Sequence, residues 1–208
     1  MTGVAVPAAV EGDVDEAVAR CLIAHAGGVP SVVYGRTGKR YLRTRIAGYN
    51  QAARHQPWLV IVDLNHEAVC APSLRAAWVP TPSLYMCFRV AVREVESWLL
   101  ADAERISAFL KISPSRVPRD VDRLDDPKQA LLQLVRRSGS RAIREDMTPR
   151  PESGRVIGPA YNSRLIEFVT NTRVGWRPSM AARNSDSLNR CLLSIRALVQ
   201  GYRPSRQQ

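Results

Sequence analysis

Trp58-Leu59-Val60-Ile61-Val62-Asp63 is the stretch on which the fold turns. A strand with one wet face alternates apolar and polar residues. An unbroken apolar run of this length fits a strand covered on both faces, at the centre of a parallel sheet. Asp63 closes the run. A carboxylate at the end of a buried strand is costly to desolvate unless a cation or hydrogen-bond donors meet it.

Working outward, the flanking segments alternate between strand and helix. Val4 to Val10 is a short apolar run and a candidate first strand. Pro7 lies inside it and cannot donate to a ladder, so either the strand begins at Ala8 or Pro7 faces an unpaired side. Asp13 reads as a helix N-cap, with Glu16 three residues on completing a capping box. Val14, Ala17, Val18, Cys21 and Leu22 form a helical stripe that Gly27-Gly28 ends. Ser31 to Tyr34 is a second strand, Gly35 to Lys39 a loop, and Tyr41 to His55 an arginine-rich helix. Leu84 to Val90 is a fourth strand. Val92 to Leu110 reads as helix with a break near Asp102. This order predicts an α/β fold, a Rossmann-like, mostly parallel sheet flanked by helices, with its site at the carboxyl ends of the strands.

The second half reads differently. Pro114, Pro118 and Pro127 punctuate it, and no good strand follows Val90. Lys128 to Arg137, Tyr161 to Thr170 and Ser185 to Val199 read as helices. Arg136 to Pro159 reads as a long basic surface loop, and Gly201 to Gln208 as a frayed tail. The expected division is an α/β core over 1–110 and a mainly helical extension over 111–208 packed on it.

Composition narrows the chemistry. The chain has 208 residues and a formal net charge of +11. Only Lys39, Lys111 and Lys128 are lysines; the other basic residues are arginines, whose planar forks match phosphate oxygens. An arginine-rich genome explains arginine in place of lysine but not the excess of base over acid, so nucleic acid is the first partner to consider. Cys21, Cys70, Cys87 and Cys191 form no C-x-x-C pair and read as small core residues in a reducing compartment. His25, His55 and His66 lack zinc-site spacing. Thr2 to Val10 is apolar without a preceding positive region, so no signal peptide is expected. No apolar run approaches the ~20 residues of a membrane span. A cytoplasmic protein is expected.

Three constellations carry possible chemistry. Glu11-Gly12-Asp13-Val14-Asp15 places Glu11 at the end of the first strand and Asp15 in the first helical turn, where the dipole favours a carboxylate. Capping explains Asp13 but gives Glu11 no task. In Asp63-Leu64-Asn65, strand alternation would point Asp63 and Asn65 the same way, an oxygen pair suited to Mg²⁺; the alternative is an Asp and Asn that cap the following turn. Glu94, Trp98 and Asp102 recur every four residues and would share a helix face. Glu94 is then either a further metal ligand or part of a solvated face paired with Arg89 and Arg93. Gly35 to Lys39 lacks the spacing of a phosphate-binding P-loop, although its basic residues suit a nucleic-acid backbone.

The strand-Glu-Gly-x-x-Asp opening, together with WLVIVDLN, resembles the TOPRIM domain shared by topoisomerases, primases and the overcoming-lysogenization-defect nucleases. Over nearly its whole length the chain resembles a family of bacterial TOPRIM-like proteins often encoded beside an ATPase. VEGDVDEAV, CAPSLR, FRVAVREVESWLLAD, DDPK, GPAYN and SDSLNRC carry that likeness. The resemblance implies a Mg²⁺- or Mn²⁺-dependent nuclease. Glu11 would act as acid, base or ligand and Asp63 as leading ligand. Asn65 stands where the pattern has a second aspartate, and Asp15, Glu67 or Glu94 could restore the charge. Arg36, Lys39, Arg40, Arg43 and Arg54 would hold the DNA or RNA backbone. A partner ATPase and a role in defence against phage also follow from the resemblance, and a homo-oligomer remains open. Two alternatives stand beside this reading. One is a catalytically degenerate TOPRIM module that binds nucleic acid or an ATPase without cutting. The other is an enzyme acting on a small phosphate ester.

Overall fold

A computed structural model describes residues 3–203. In chain order its elements are β1 (Ala5–Val10), α1 (Asp13–His25), β2 (Val29–Gly35), α2 (Lys39–Ala52), β3 (Trp58–Asp63), α3 (Ala71–Trp78), β4 (Met86–Ala91), α4 (Val95–Leu100), α5 (Ala103–Leu110), α6 (Pro127–Arg136), α7 (Arg141–Met147), α8 (Tyr161–Thr170), α9 (Pro178–Ala181) and α10 (Asp186–Gly201). The chain divides into two compact units. One is Met1–Ala91 with Arg190–Gln208, the other Val92–Asn189.

The first unit is an α/β layer structure. Its four strands are all parallel, in the order β2-β1-β3-β4, with helices flanking them. Leu59, Val60, Ile61 and Val62 of β3 are fully buried, as the unbroken apolar run predicts. β2 lies at an edge, and Val29, Val32 and Tyr34 are exposed there. From β1 the chain steps one way to β2 and then the other way to β3. The gap beyond the carboxyl ends of β1 and β3 is therefore the switch point where sheets of this kind open a crevice.

Pro7 lies within β1, which begins at Ala5. Val6 pairs with Pro30 and Ala8 with Val33, so the β1–β2 register slips at Pro7. A bulge is where a strand tolerates a residue with no N–H. Val14, Ala17, Val18 and Leu22 of α1 are buried as the stripe predicts, whereas Cys21 is half-buried. Gly12, not Asp13, is the N-cap of α1 and brings no side-chain cap, and Asp13, Asp15 and Glu16 occupy the first turn. Glu16 instead takes ion pairs from Arg20 and Arg36. Helix α3 fills a stretch between β3 and β4 for which the sequence predicts no element. Cys70 is its N-cap and is exposed, so it is not a core residue.

The second unit is helical. The expected Val92 to Leu110 helix starts at Val95 and is interrupted at Asp102, whose side chain caps α5 by accepting Arg105 N–H. The buried Asp102 carboxylate also grips Arg177, with Nε at 3.0 Å and Nη2 at 2.7 Å. Asp122 accepts Ser185 Oγ at 2.7 Å and Ser187 N–H at 3.0 Å. The expected loop over Arg136 to Pro159 contains α7, capped by Ser140. Of the expected tail, Gly201 ends α10 and residues 204–208 lie outside the described residues.

The turn from β2 into α2 is built on left-handed backbone at Gly35, Arg36 and Gly38. A Cβ on Gly35 would sit 2.2 Å from Val10 O, whereas one on Gly38 would meet nothing within 4 Å. Both positions carry the backbone penalty for an L side chain, but Gly35 adds a collision with the strand. In urea unfolding, Gly38→Ala should cost about 1 kcal/mol and Gly35→Ala about 3 kcal/mol. Equal costs would contradict this account of the turn.

Candidate functional site

The site sits at the switch point and begins with Glu11, the residue after β1. Its carboxylate Oε1 accepts the backbone N–H of Asp63 at 2.8 Å. Its own carbonyl accepts Gly38 N–H at 3.0 Å, and Val10 O accepts Arg36 N–H at 3.0 Å. Glu11 therefore ties together the ends of β1 and β3 and the start of α2. Both Glu11 and Asp63 are half-buried. At a strand end the backbone runs out of ladder partners, so a side chain that meets the next amide fixes the geometry there.

Lys39, the first residue of α2, forms a second node. Its Nζ donates to the carbonyl of Asp63 and lies 2.9 Å from Glu67 Oε2. Glu67 Oε1 accepts Trp78 Nε1 at 3.0 Å and lies 3.4 Å from Arg43 Nη1. Burial alone would push the Glu67 carboxyl up. Hydrogen bonds from Lys39 and Trp78 and the charges of Lys39 and Arg43 outweigh it, so its pKa lies below the ordinary carboxylate range. Glu67 is thus the anchor of a lysine that braces the Asp63 backbone. The sequence offered it only as a spare acid; its partners come from α2 and α3, and no local spacing pairs them.

The other expected residues fall as follows. Asp15 is half-buried in the first turn of α1, close enough to Gly12 that a Cβ there would meet its Oδ2 at 3.0 Å. Asn65 lies beyond β3 in left-handed backbone, φ 48°. Strand alternation ends at Asp63, so the same-side argument for Asp63 and Asn65 does not hold. Arg36 pairs with Glu16 at 3.2 Å. Arg40 is exposed in the first turn of α2, and Arg43 lies over the Trp78 ring at 5.8 Å. Arg54 follows the far end of α2, roughly 20 Å of helix from Lys39.

Glu94 belongs to the second unit. It precedes α4 as its N-cap residue in extended backbone, so it does not share one helix face with Trp98 and Asp102. Its carboxylate accepts Lys128 N–H at 3.0 Å and Lys128 Nζ at 3.2 Å, the place expected for Arg89 or Arg93. Beside it, the buried Glu96 accepts Tyr161 OH at 3.2 Å. Burial pushes the Glu96 carboxyl up, against the pull of Lys128.

Among the described residues no three His, Cys, Asp or Glu side chains form a metal-binding group. Among the described residues no helix is long and apolar enough to cross a membrane. Comparison with protein-family models, curated proteins and solved structures found no match.

The lowered Glu67 pKa has a definite sign in stability. Its contribution is fully present above the unfolded value, about 4.3, and is lost as pH falls through the lower folded value. In urea unfolding at a series of pH values, Glu67→Gln should be less stable than wild type at neutral pH. The difference should close as the pH falls from about 5 to about 3. Stability curves that stay parallel through that window would contradict the ion-pair assignment.

Proposed function

We propose that the chain is a divalent-metal-dependent nuclease on a TOPRIM-type sheet, with Glu11 and Asp63 as the carboxylates of its metal site. The observation that carries this reading is their placement. They end neighbouring parallel strands on either side of the switch point, linked by the 2.8 Å bond from Asp63 N–H to Glu11 Oε1. The donor set fits Mg²⁺ or Mn²⁺. Both side chains offer hard carboxylate oxygens, and Mg²⁺ is commonly held by one or two carboxylates, with water and substrate phosphate completing its shell. When bound, such an ion polarises a phosphate and makes a water acidic enough to attack it.

The chain's own residues have separate tasks. Glu11 holds the end of β3 in register with β1 and faces the reacting centre as acid, base or ligand. Lys39 fixes the Asp63 backbone while Glu67 holds Lys39. Arg40 and Arg43, exposed along the first turns of α2, lie where a phosphate backbone can reach them, and Arg36 can exchange Glu16 for phosphate. The α2 N-terminus has no acidic residue in its first turn, which suits an anion. The +11 charge draws a polyanion towards the whole surface.

A second reading is favoured by two observations: the left-handed Asn65 where a TOPRIM pattern has aspartate, and the absence of a three-acid group among the described residues. It is a degenerate module that binds nucleic acid or a partner ATPase without cleavage. Labelled single- and double-stranded DNA and RNA, incubated with Mg²⁺ or Mn²⁺, separate the two. The nuclease reading expects cleavage that chelation abolishes. Glu11→Gln and Asp63→Asn should each slow it by about 100-fold or more, with binding held within a few-fold. Salt-sensitive binding with no cleavage of any substrate would overturn the nuclease and leave the module.

A further inference from the structure

The outer edge of β4 forms the floor of a groove of ≈ 490 Å³ that lies wholly within the first unit. Ala197 and Leu198 of α10 line one side, and Arg75 of α3 lines the other. Among the described residues, β4 pairs with β3 on one side and with no strand on the other. Trp58 N–H donates to Tyr85 O, and Leu64 N–H donates to Ala91 O. The odd-numbered residues of β4 therefore turn their backbone groups to β3, and Phe88 turns its N–H and carbonyl outward along the groove.

The groove has an unanswered charge. Arg75 and Arg89 both line it, and no acidic residue does. Neither guanidinium has an ion pair among the described residues, and Arg89 Nε is buried without a hydrogen-bond partner. A buried donor left unmet is unfavourable unless a ligand supplies the acceptor. Cys87 on the floor does not supply it as a thiolate, because burial pushes that thiol up to about 12 despite the two arginines. Leu84, 79% exposed, adds an apolar surface at the groove.

We propose that this groove binds an extended acidic peptide segment of a partner protein, which adds to β4 as a fifth strand and sets its carboxylates against Arg75 and Arg89. Strand addition satisfies main-chain groups along an open edge while side chains alternate into flanking pockets. A small anion would meet the arginines but leave the Phe88 backbone groups and the apolar walls unmet. A second copy of this chain would bring arginine against arginine. The inference does not depend on the metal site, so Asp63→Asn should leave it intact.

The test is fluorescence anisotropy at about 0.15 M salt. The ligand is a labelled octapeptide of valine and threonine with two central glutamates. Its competitors are the same peptide with lysine for glutamate, a version with prolines flanking the glutamates, and tetraglutamate. The glutamate peptide should bind saturably, and the competitors should fail to displace it. Arg75→Glu, a substitution at an exposed helix position, should weaken it by at least about tenfold. Thermal unfolding of that variant should match wild type, and Leu84→Asp gives an independent weakening. No saturation by ~1 mM peptide overturns the proposal. So does displacement by tetraglutamate or by the proline peptide, or an affinity that Arg75→Glu leaves unchanged.

Discussion

The hydrogen bond from Asp63 N–H to the Glu11 carboxylate organises the carboxyl end of the sheet. β1 and β3 share a short ladder, Ala8 with Leu59 and Ala9 with Val60, and past it their ends would splay. Glu11 bridges them with its side chain, and its carbonyl also holds the amide that starts α2. Lys39, placed by that start, then braces the Asp63 carbonyl. These contacts share one centre, a carboxylate at the end of β1 that joins two strand ends and the start of α2. The tight Gly35 turn allows the β2–α2 connection to lie this close to β1.

Much of this was legible in the sequence, because the signals were local and periodic. The WLVIVD run needed both faces covered and has them. Apart from the half-buried Cys21, the stripe from Val14 to Leu22 is the buried face of α1, whereas Pro7 does not delay β1 to Ala8 but sits where its register with β2 slips. The losses share a cause as well. Helices α3 and α7 have eight and seven residues, too short for a 3.6-residue pattern to separate from a polar loop. Asp13 had the chemistry of a cap, but Gly12 already had the extended backbone that a cap needs. Asn65 was read by alternation two residues past Asp63, where the strand stops. Glu67 is paired by residues from α2 and α3, and such tertiary pairings leave no local trace.

Charge also reads differently once the partners are known. Arg20, Arg36, Arg43, Arg164 and Arg177 all hold carboxylates within the chain. Part of the arginine content is therefore architectural, while Arg40 and Arg45 on α2 remain exposed. In the second unit, the conspicuous stretches supply buried polar bonds. Trp98 Nε1 donates to Ser187 Oγ, Tyr161 OH to Glu96, and Asp102 grips Arg177. Each of these groups would be costly to bury alone.

The central claim is that the linked strand ends hold a divalent cation. Isothermal titration of Mg²⁺ and Mn²⁺ into wild type, beside a Glu11→Gln, Asp63→Asn double variant checked for folding, tests it most directly. The account predicts saturable binding to wild type that the folded double variant loses. A folded wild type that takes up no ion at millimolar metal, or a double variant that binds as tightly as wild type, would contradict it.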